Sequence, residues 1–287
     1  MKHLAAGVLA ASLLIFNGVA LAISYDVDET TLGAFGTVDQ ALVGNNGDNG
    51  LNNYCAPTAT MNSFAFLTNA YPGTYGNDPS GNPVLWGGTA SWLAAAQLLA
   101  GNNFMNTDPN TGTTQWNWIN GKYNYLETYA PGRTSYQGWD SVGQGGQPWV
   151  QNGNPTANFL LQMLQDGEDV EIGLTPPLGS IGHVLTLSSI HWNDADNSNT
   201  FDAGDTLTID GIDPDGGGVF NFTLSPPALA GQPMTFFGGA YNGYELDAAL
   251  AESPLSASSA IPEPATLTLI GLGLTGLVAK LVGRRNR

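Results

Sequence analysis

Hydrophobic spacing divides the chain into a helical first part and a stranded second part. Met61, Phe64, Ala65 and Leu67 recur at a roughly helical interval, which predicts a helix over Ala56 to Asn69. A second helix is predicted over Thr89 to Leu99, with Trp92, Leu93, Ala96 and Leu99 on one face. A third spans Thr156 to Gln165, where Phe159, Leu160, Met163 and Leu164 are apolar. After Gly167 the period changes to two. Val170, Ile172 and Leu174 then share one face of a strand. Further strands are predicted over Gly182–Ile190, Leu207–Ile212 and Val219–Leu224, and a fifth over Met234–Phe237. Ser24 to Val43 alternates weakly, as an initial strand and loop would, and Gly44 to Asn53 is a polar run with turn chemistry. Asn102 to Gln151 is rich in glycine and in aromatics such as Trp116, Trp118, Tyr123, Tyr136 and Trp139, and follows no single period. Core packing is the commoner role for such side chains, and lining a cleft for peptide or sugar is the other. Helices first and strands later is the segregated order of an α+β domain, here a helical part followed by an antiparallel β-sheet part.

The two ends read differently from the middle. Lys2 and His3, the apolar run Leu4–Phe16 and the small-x-small triplet Ala20-Leu21-Ala22 compose a secretory signal peptide over residues 1–22, cleaved before Ile23. At the other end, residues 253–260 are a small-residue linker to Pro262-Glu263-Pro264. An apolar stretch from Ala265 to Gly283 follows, long enough to cross a bilayer, and a cluster of arginines after it should stay cytoplasmic. This three-part order resembles the PEP-CTERM sorting signal of Gram-negative bacteria. The resemblance implies handling by signal peptidase and exosortase, transient anchoring by the tail helix, and a final place in the cell envelope or outside it. It also implies exopolysaccharide or biofilm matrix as a neighbour.

Residues 23–252 remain as one domain. The chain carries a net charge of −17, and Lys122 and Arg133 are the only lysine and arginine between the two signals. That balance excludes nucleic acid as a partner and favours divalent cations. The sequence holds a single cysteine, Cys55, so no intramolecular disulfide can form. An unpaired cysteine in an exported protein points to a reactive thiol or an intermolecular bridge. Cys55 also opens the first predicted helix, where the positive end of the macrodipole favours thiolate. A buried, inert thiol is the ordinary alternative.

A thiol nucleophile needs an imidazole to take its proton and a third group to orient that imidazole. The mature chain offers His183 and His191, at opposite ends of one strand and roughly 26 Å apart, too far to share a site. Cys55-Ala56-Pro57-Thr58-Ala59, Gly182-His183-Val184 and Ile212-Asp213-Pro214 occur in that order, with the Phe159–Gln165 helix and the Val170–Leu174 strand between them. This set resembles the bacteriocin-processing branch of papain-like cysteine peptidases. The resemblance implies an α+β, papain-like fold. It makes Cys55 the nucleophile, His183 the general base and Asp213, rather than Asp210, the group that orients the imidazole. The family's oxyanion glutamine is missing upstream of Cys55. Asn49, Asn52 and Asn53 are the nearest amides, and Asn49 is the residue assigned to that role.

A second motif lies between the strands that carry His183 and Asp213. Asp194, Asp196, Ser198, Thr200, Asp202 and Asp205 place oxygens at the spacing of an EF-hand-type or dockerin-type calcium loop. Asn199 stands where that loop has glycine, and Asp205 where it has a bidentate glutamate. A plain acidic turn is the alternative. Structural calcium here would set the register of the two strands. The sequence thus supports an exported cysteine peptidase acting on peptide or protein substrates. Two alternatives stay open: a non-catalytic surface or matrix protein binding calcium and peptide or glycan, and a thiol-based acyl transferase.

Overall fold

The computed structural model describes residues 22–255 apart from 46, 49, 51, 144 and 178–181. Nearly all of the expected signal peptide, and the whole apolar segment 265–283, lie outside the described residues. Among the described residues no helix is long and apolar enough to cross a membrane.

In chain order the elements are β1 (Ile23–Asp28), α1 (Gln40–Val43), α2 (Cys55–Ala70), α3 (Pro72–Tyr75), α4 (Trp92–Ala100) and α5 (Gln115–Tyr129). β2 (Thr134–Asp140), β3 (Val150–Asn152), α6 (Ala157–Gln165), β4 (Asp169–Thr175) and β5 (His183–Asp194) follow. The last four are β6 (Thr206–Asp213), β7 (Gly218–Ser225), β8 (Thr235–Phe237) and β9 (Glu245–Pro254). Three of the helices start at hydroxyl caps, as the preference of serine and threonine for this position leads one to expect. Ser91 accepts from Ala94 N, Thr114 from Asn117 N and Thr156 from Phe159 N. Helix α2 is unusual in being buried on every side from Cys55 to Leu67. A helix apolar all round belongs between two layers, and α2 lies between α4 and the strands β4 and β5.

Strands β4 to β9 form a ring. Each pairs antiparallel with the next, and β4 closes the circle by pairing with both β5 and β9. β1 continues the edge of β5 beyond β4, taking Ser189–Asp194, while β2 pairs with β9 and carries β3 in parallel. One core joins the strands and α6 through residues such as Leu160, Ile172, Leu187, Trp192 and Phe236. A second packs α2, α4 and α5 against Val184, Ala248 and Leu250.

This arrangement corrects the fold read from the sequence. The molecule is mainly a six-stranded antiparallel β-barrel with extra strands and few helices. It is not the α+β, papain-like fold with a helical part followed by a sheet part. The difference turns on β9. Its sequence, Glu-Leu-Asp-Ala-Ala-Leu-Ala-Glu-Ser-Pro, is poor in β-branched residues and buried almost throughout, so it shows no alternation of polar and apolar positions. Without β9 the strand β4 has one neighbour and the sheet reads as open. With β9 paired on its free edge the sheet closes.

A buried charge cluster stands beside the second core. Lys122, 1% exposed, bonds to Glu171 and Glu252 and lies 3.8 Å from Asp169. Ser63 also donates to Asp169. Burial holds the Glu252 carboxyl well above its ordinary range and pushes Glu171 up to about 7, although Lys122 pulls both down. Burial, with Asp169 and Glu168 nearby, keeps Glu29 protonated far above the usual range.

Candidate functional site

Cys55 is the first residue of α2, so its side chain stands at the end of the helix where backbone N–H groups are unpaired. His183 is the first residue of β5 and Asp213 the last of β6. The β5–β6 pairing, with Thr186 opposite Ile212, brings these two ends side by side. His183 Nε2 lies 2.9 Å from Asp213 Oδ1. The Cys55 thiol hydrogen-bonds to the same imidazole. Since Nε2 faces Asp213, Nδ1 is the nitrogen left for the sulfur. The three residues that the sequence singled out thus meet at one place.

Asp213 is firmly held. Its Oδ1 also accepts from Asp215 N at 2.9 Å, and its Oδ2 accepts from the Tyr241 hydroxyl at 2.8 Å. Tyr241 stacks on the His183 ring, centroids 5.0 Å apart, and so fixes both members of the pair. Nothing in the sequence marks Tyr241, which comes from the turn between β8 and β9.

The electrostatics follow from these contacts. Burial pushes the Cys55 thiol up, but the hydrogen bond and charge of His183, with the Val184 and Ala56 N–H groups, more than offset it. The thiol ends below its ordinary value. Burial lowers His183, while the bonds to Asp213 and Cys55 raise it, to about 10. Burial raises Asp213, but the His183 bond prevails and holds its carboxyl below the usual range. A lowered thiol beside a raised imidazole favours the thiolate–imidazolium form, the one in which sulfur is nucleophilic.

Cys55 and His183 open into a cavity of about 170 Å³. Its other walls are the loop Thr111–Thr113 with Gln115 and Trp118 of α5, the ends of β4 and β5, and Asp247 of β9. Gln115 Nε2 and Trp118 Nε1 are buried donors without hydrogen-bond partners among the described residues. Both were missed as site residues because α5 mixes polar and aromatic positions and hides its period. The expected oxyanion amide, Asn49, lies outside the described residues. Of its neighbours, Asn53 is committed to Pro109 O at 2.7 Å, whereas Asn52 Nδ2 is buried with no partner.

His191 stands apart from this site, between Asp26 Oδ1 at 2.8 Å and Asp210 Oδ2 at 3.2 Å. Asp210 serves Ser189, Asn221 and His191 and has no part in the Cys55 cavity.

The acidic loop caps the far end of the β5–β6 hairpin. Carboxylate oxygens of Asp194, Asp196 and Asp205 lie within 4.8 Å of one another. Asp194 accepts from Ser198 N and Asn199 N, and Ser198 Oγ donates to Thr200 O. Asn199 takes the left-handed conformation, φ 56°, that the motif asks of it. Burial, with repulsion from Asp196 and Asp205, holds Asp202 above its ordinary value. This donor set of carboxylates, hydroxyls and a carbonyl is hard and oxygen-rich, which fits calcium chemically. Eleven residues of strand, about 36 Å at the usual rise, separate Asp194 from His183. An ion there would act on strand register and stability and not on the imidazole directly.

Comparison with protein families places the PEP-CTERM protein-sorting motif on residues 260–286. A search of curated proteins finds no match to the chain. The motif marks the chain for export and exosortase-dependent sorting to the cell surface.

Proposed function

We propose that the protein is an exported cysteine peptidase. The observation that carries this reading is the single cysteine at a helix start, hydrogen-bonded to a histidine whose other nitrogen is held by a half-buried aspartate, at the mouth of a cavity. In this reading the Cys55 thiolate attacks a peptide carbonyl. His183, as imidazolium, gives its proton to the departing amine, and a thioester remains on Cys55. Water then attacks the thioester, His183 takes the water's proton, and the acid is released as Cys55 regains the thiolate. Asp213 and Tyr241 keep the imidazole oriented throughout. The unpartnered donors of Gln115 and Trp118 in the cavity wall are available to the oxyanion, a contribution of about 3–4 kcal/mol for one good donor.

Activity of the purified chain on a peptide library, beside Cys55→Ala, tests the proposal. Cleavage that is lost in Cys55→Ala supports it. Cleavage that persists in Cys55→Ala, or no cleavage by either form, refutes it and favours the non-catalytic surface protein. The acidic loop 194–205 is proposed as a structural calcium site, supported by its clustered oxygens. It would serve either reading.

A further inference from the structure

We infer that Asp247 is the cation-recognising residue of the Cys55 cavity, so that the group seated beside the thiol is an ammonium or guanidinium. The inference rests on the peptidase reading only for the statement that this cation belongs to a peptide.

Three observations carry it. First, Asp247 occupies a β-bulge. β4 pairs Gly173 with Ala248 and Leu174 with Leu246, leaving Asp247 without an opposite residue. Bulges re-aim a side chain, and this one turns its carboxylate toward the cavity that Cys55 and His183 line. Second, the carboxylate has no counter-ion. Its Oδ2 accepts from the Thr175 hydroxyl, and no ion pair reaches it among the described residues. The only described lysine and arginine are engaged elsewhere, Lys122 with its three carboxylates and Arg133 with Thr74 O, and the His183 imidazole in the same cavity is paired with Asp213. Burial, helped by the negative charge of Asp140 and Glu245, outweighs the Thr175 bond and pushes Asp247 up to about 6. A carboxyl raised in this way gains from any cation placed beside it. Third, the neighbouring wall is built to receive a ligand. Trp118 is 2% exposed, lines the cavity, and keeps an indole N–H without a partner. Between the two stands Gly173, where an added Cβ would sit 3.0 Å from the Trp118 ring and 3.4 Å from Asp247 Oδ1. Glycine at this position lets the indole and the carboxylate close on β4, where any side chain would press on both. A cation in the cavity meets the Asp247 anion, and a polar group attached to it meets the indole donor.

Because Cys55 is the only thiol in the sequence, small reagents report on this cavity alone, whether or not any peptide is cut. The test compares Cys55 modification of the full chain by trimethylammonium-ethyl methanethiosulfonate and by the neutral methyl reagent. The neutral reagent normalises for thiolate content. In the wild type the cation-to-neutral rate ratio should exceed that of Asp247→Asn by about tenfold, as a charge at close range in a partly desolvated site implies. Asp166→Asn removes one exposed carboxylate elsewhere and should leave the ratio unchanged. Equal ratios in wild type and Asp247→Asn overturn the inference, and so does an equal fall in Asp166→Asn. Should Asp247→Asn fail to fold, the wild type alone decides. Its ratio must drop as pH falls through 6, and a flat ratio overturns the inference.

Peptide arms then separate the cation's sources. A preference lost on replacing lysine by norleucine assigns a side chain, and one lost on acetylating the amino terminus assigns an α-ammonium. A ratio that depends on Asp247 with no peptide cleaved keeps the cation subsite and removes the peptidase reading. Cleavage without any cation preference, and with equal ratios, does the reverse.

Discussion

Replacing Lys122 by Met removes the one positive charge from the most heavily charged part of the interior. Methionine keeps most of the aliphatic stem and removes the ammonium, which lies 5.7 Å from the Phe64 ring centroid, so the loss is mainly electrostatic. Oxygens of Asp169, Glu171 and Glu252 lie within 4.8 Å of one another, all fully buried. At that separation two carboxylates repel by about 3.5 kcal/mol at an effective dielectric of about 20. Without the ammonium they must therefore take up protons. Holding a glutamate neutral costs about 1.4 kcal/mol per pH unit above its reference of about 4.3, roughly 5 kcal/mol at pH 8 and roughly 1 at pH 5. Part of that cost already exists in the wild type, where Glu171 is pushed up to about 7. The expected loss is thus about 3–5 kcal/mol at pH 8, in line with breaking a buried pair. At pH 5 only hydrogen bonds are lost, worth about 1–2 kcal/mol. Urea unfolding followed by tryptophan fluorescence measures both. With a slope of about 2–3 kcal/mol per molar, the midpoint should fall by about 1.5 M at pH 8 and by about 0.5 M at pH 5. A loss that is the same at both pH values would refute the reasoning.

Other outcomes can be stated more briefly. His183→Ala removes the bond and charge that lower the Cys55 thiol and leaves the burial that raises it, so iodoacetamide should label Cys55 at pH 7 at least about a hundredfold more slowly. A change of less than about threefold would dissolve the thiolate–imidazolium pair. Wild-type stability should peak near pH 4. Glu168 and Glu171, up to about 7, and Asp247, up to about 6, bind protons more tightly folded than unfolded. Their contribution is complete below the unfolded carboxylate range and is lost as pH rises through 6 to 7. His183, up to about 10, acts in the same sense from its unfolded value upward. Asp210 and Asp213, held below the usual range, oppose this only as pH falls under about 4. Thermal melts should therefore fall by about 10 °C between pH 5 and pH 9, and a flat profile would count against the buried acids. Calcium at a hundred times its dissociation constant should raise the melting temperature by about 5–10 °C, an effect lost in Asp194→Asn. Chelation that leaves the wild-type melt unchanged would reduce the loop 194–205 to an acidic turn.

Much of this molecule is legible in one dimension because the information is local. The helix from Cys55 carries its apolar spacing and an early proline at Pro57, within the first turn, where no backbone N–H is missed. Strand β4 alternates apolar and polar residue types although it is buried almost throughout, and β6 alternates in burial as well. The run from Asp194 to Asp205 keeps its oxygens in sequence order, so the loop can be read directly. The resemblance to cysteine peptidases grouped Cys55, His183 and Asp213, which the structure brings side by side, and the tail spelled out its own sorting signal.

Other features exist only through contacts between distant segments. β9 has no pattern of its own, being alanine-rich and covered on both faces, yet its pairing with β4 closes the barrel and overturns the α+β arrangement. Gln115 and Trp118 become site residues only because α5 packs beside α2, and Tyr241 because a turn folds over His183. Asp247 is an ordinary acid in the sequence. A one-residue bulge turns it into the carboxylate of the cavity. Sequence alone thus determined the chemistry available, since that depends on residue type and near neighbours. Tertiary structure decided which donors, acids and rings share a cavity, since pairing, closure and burial are properties of segments that meet only after folding.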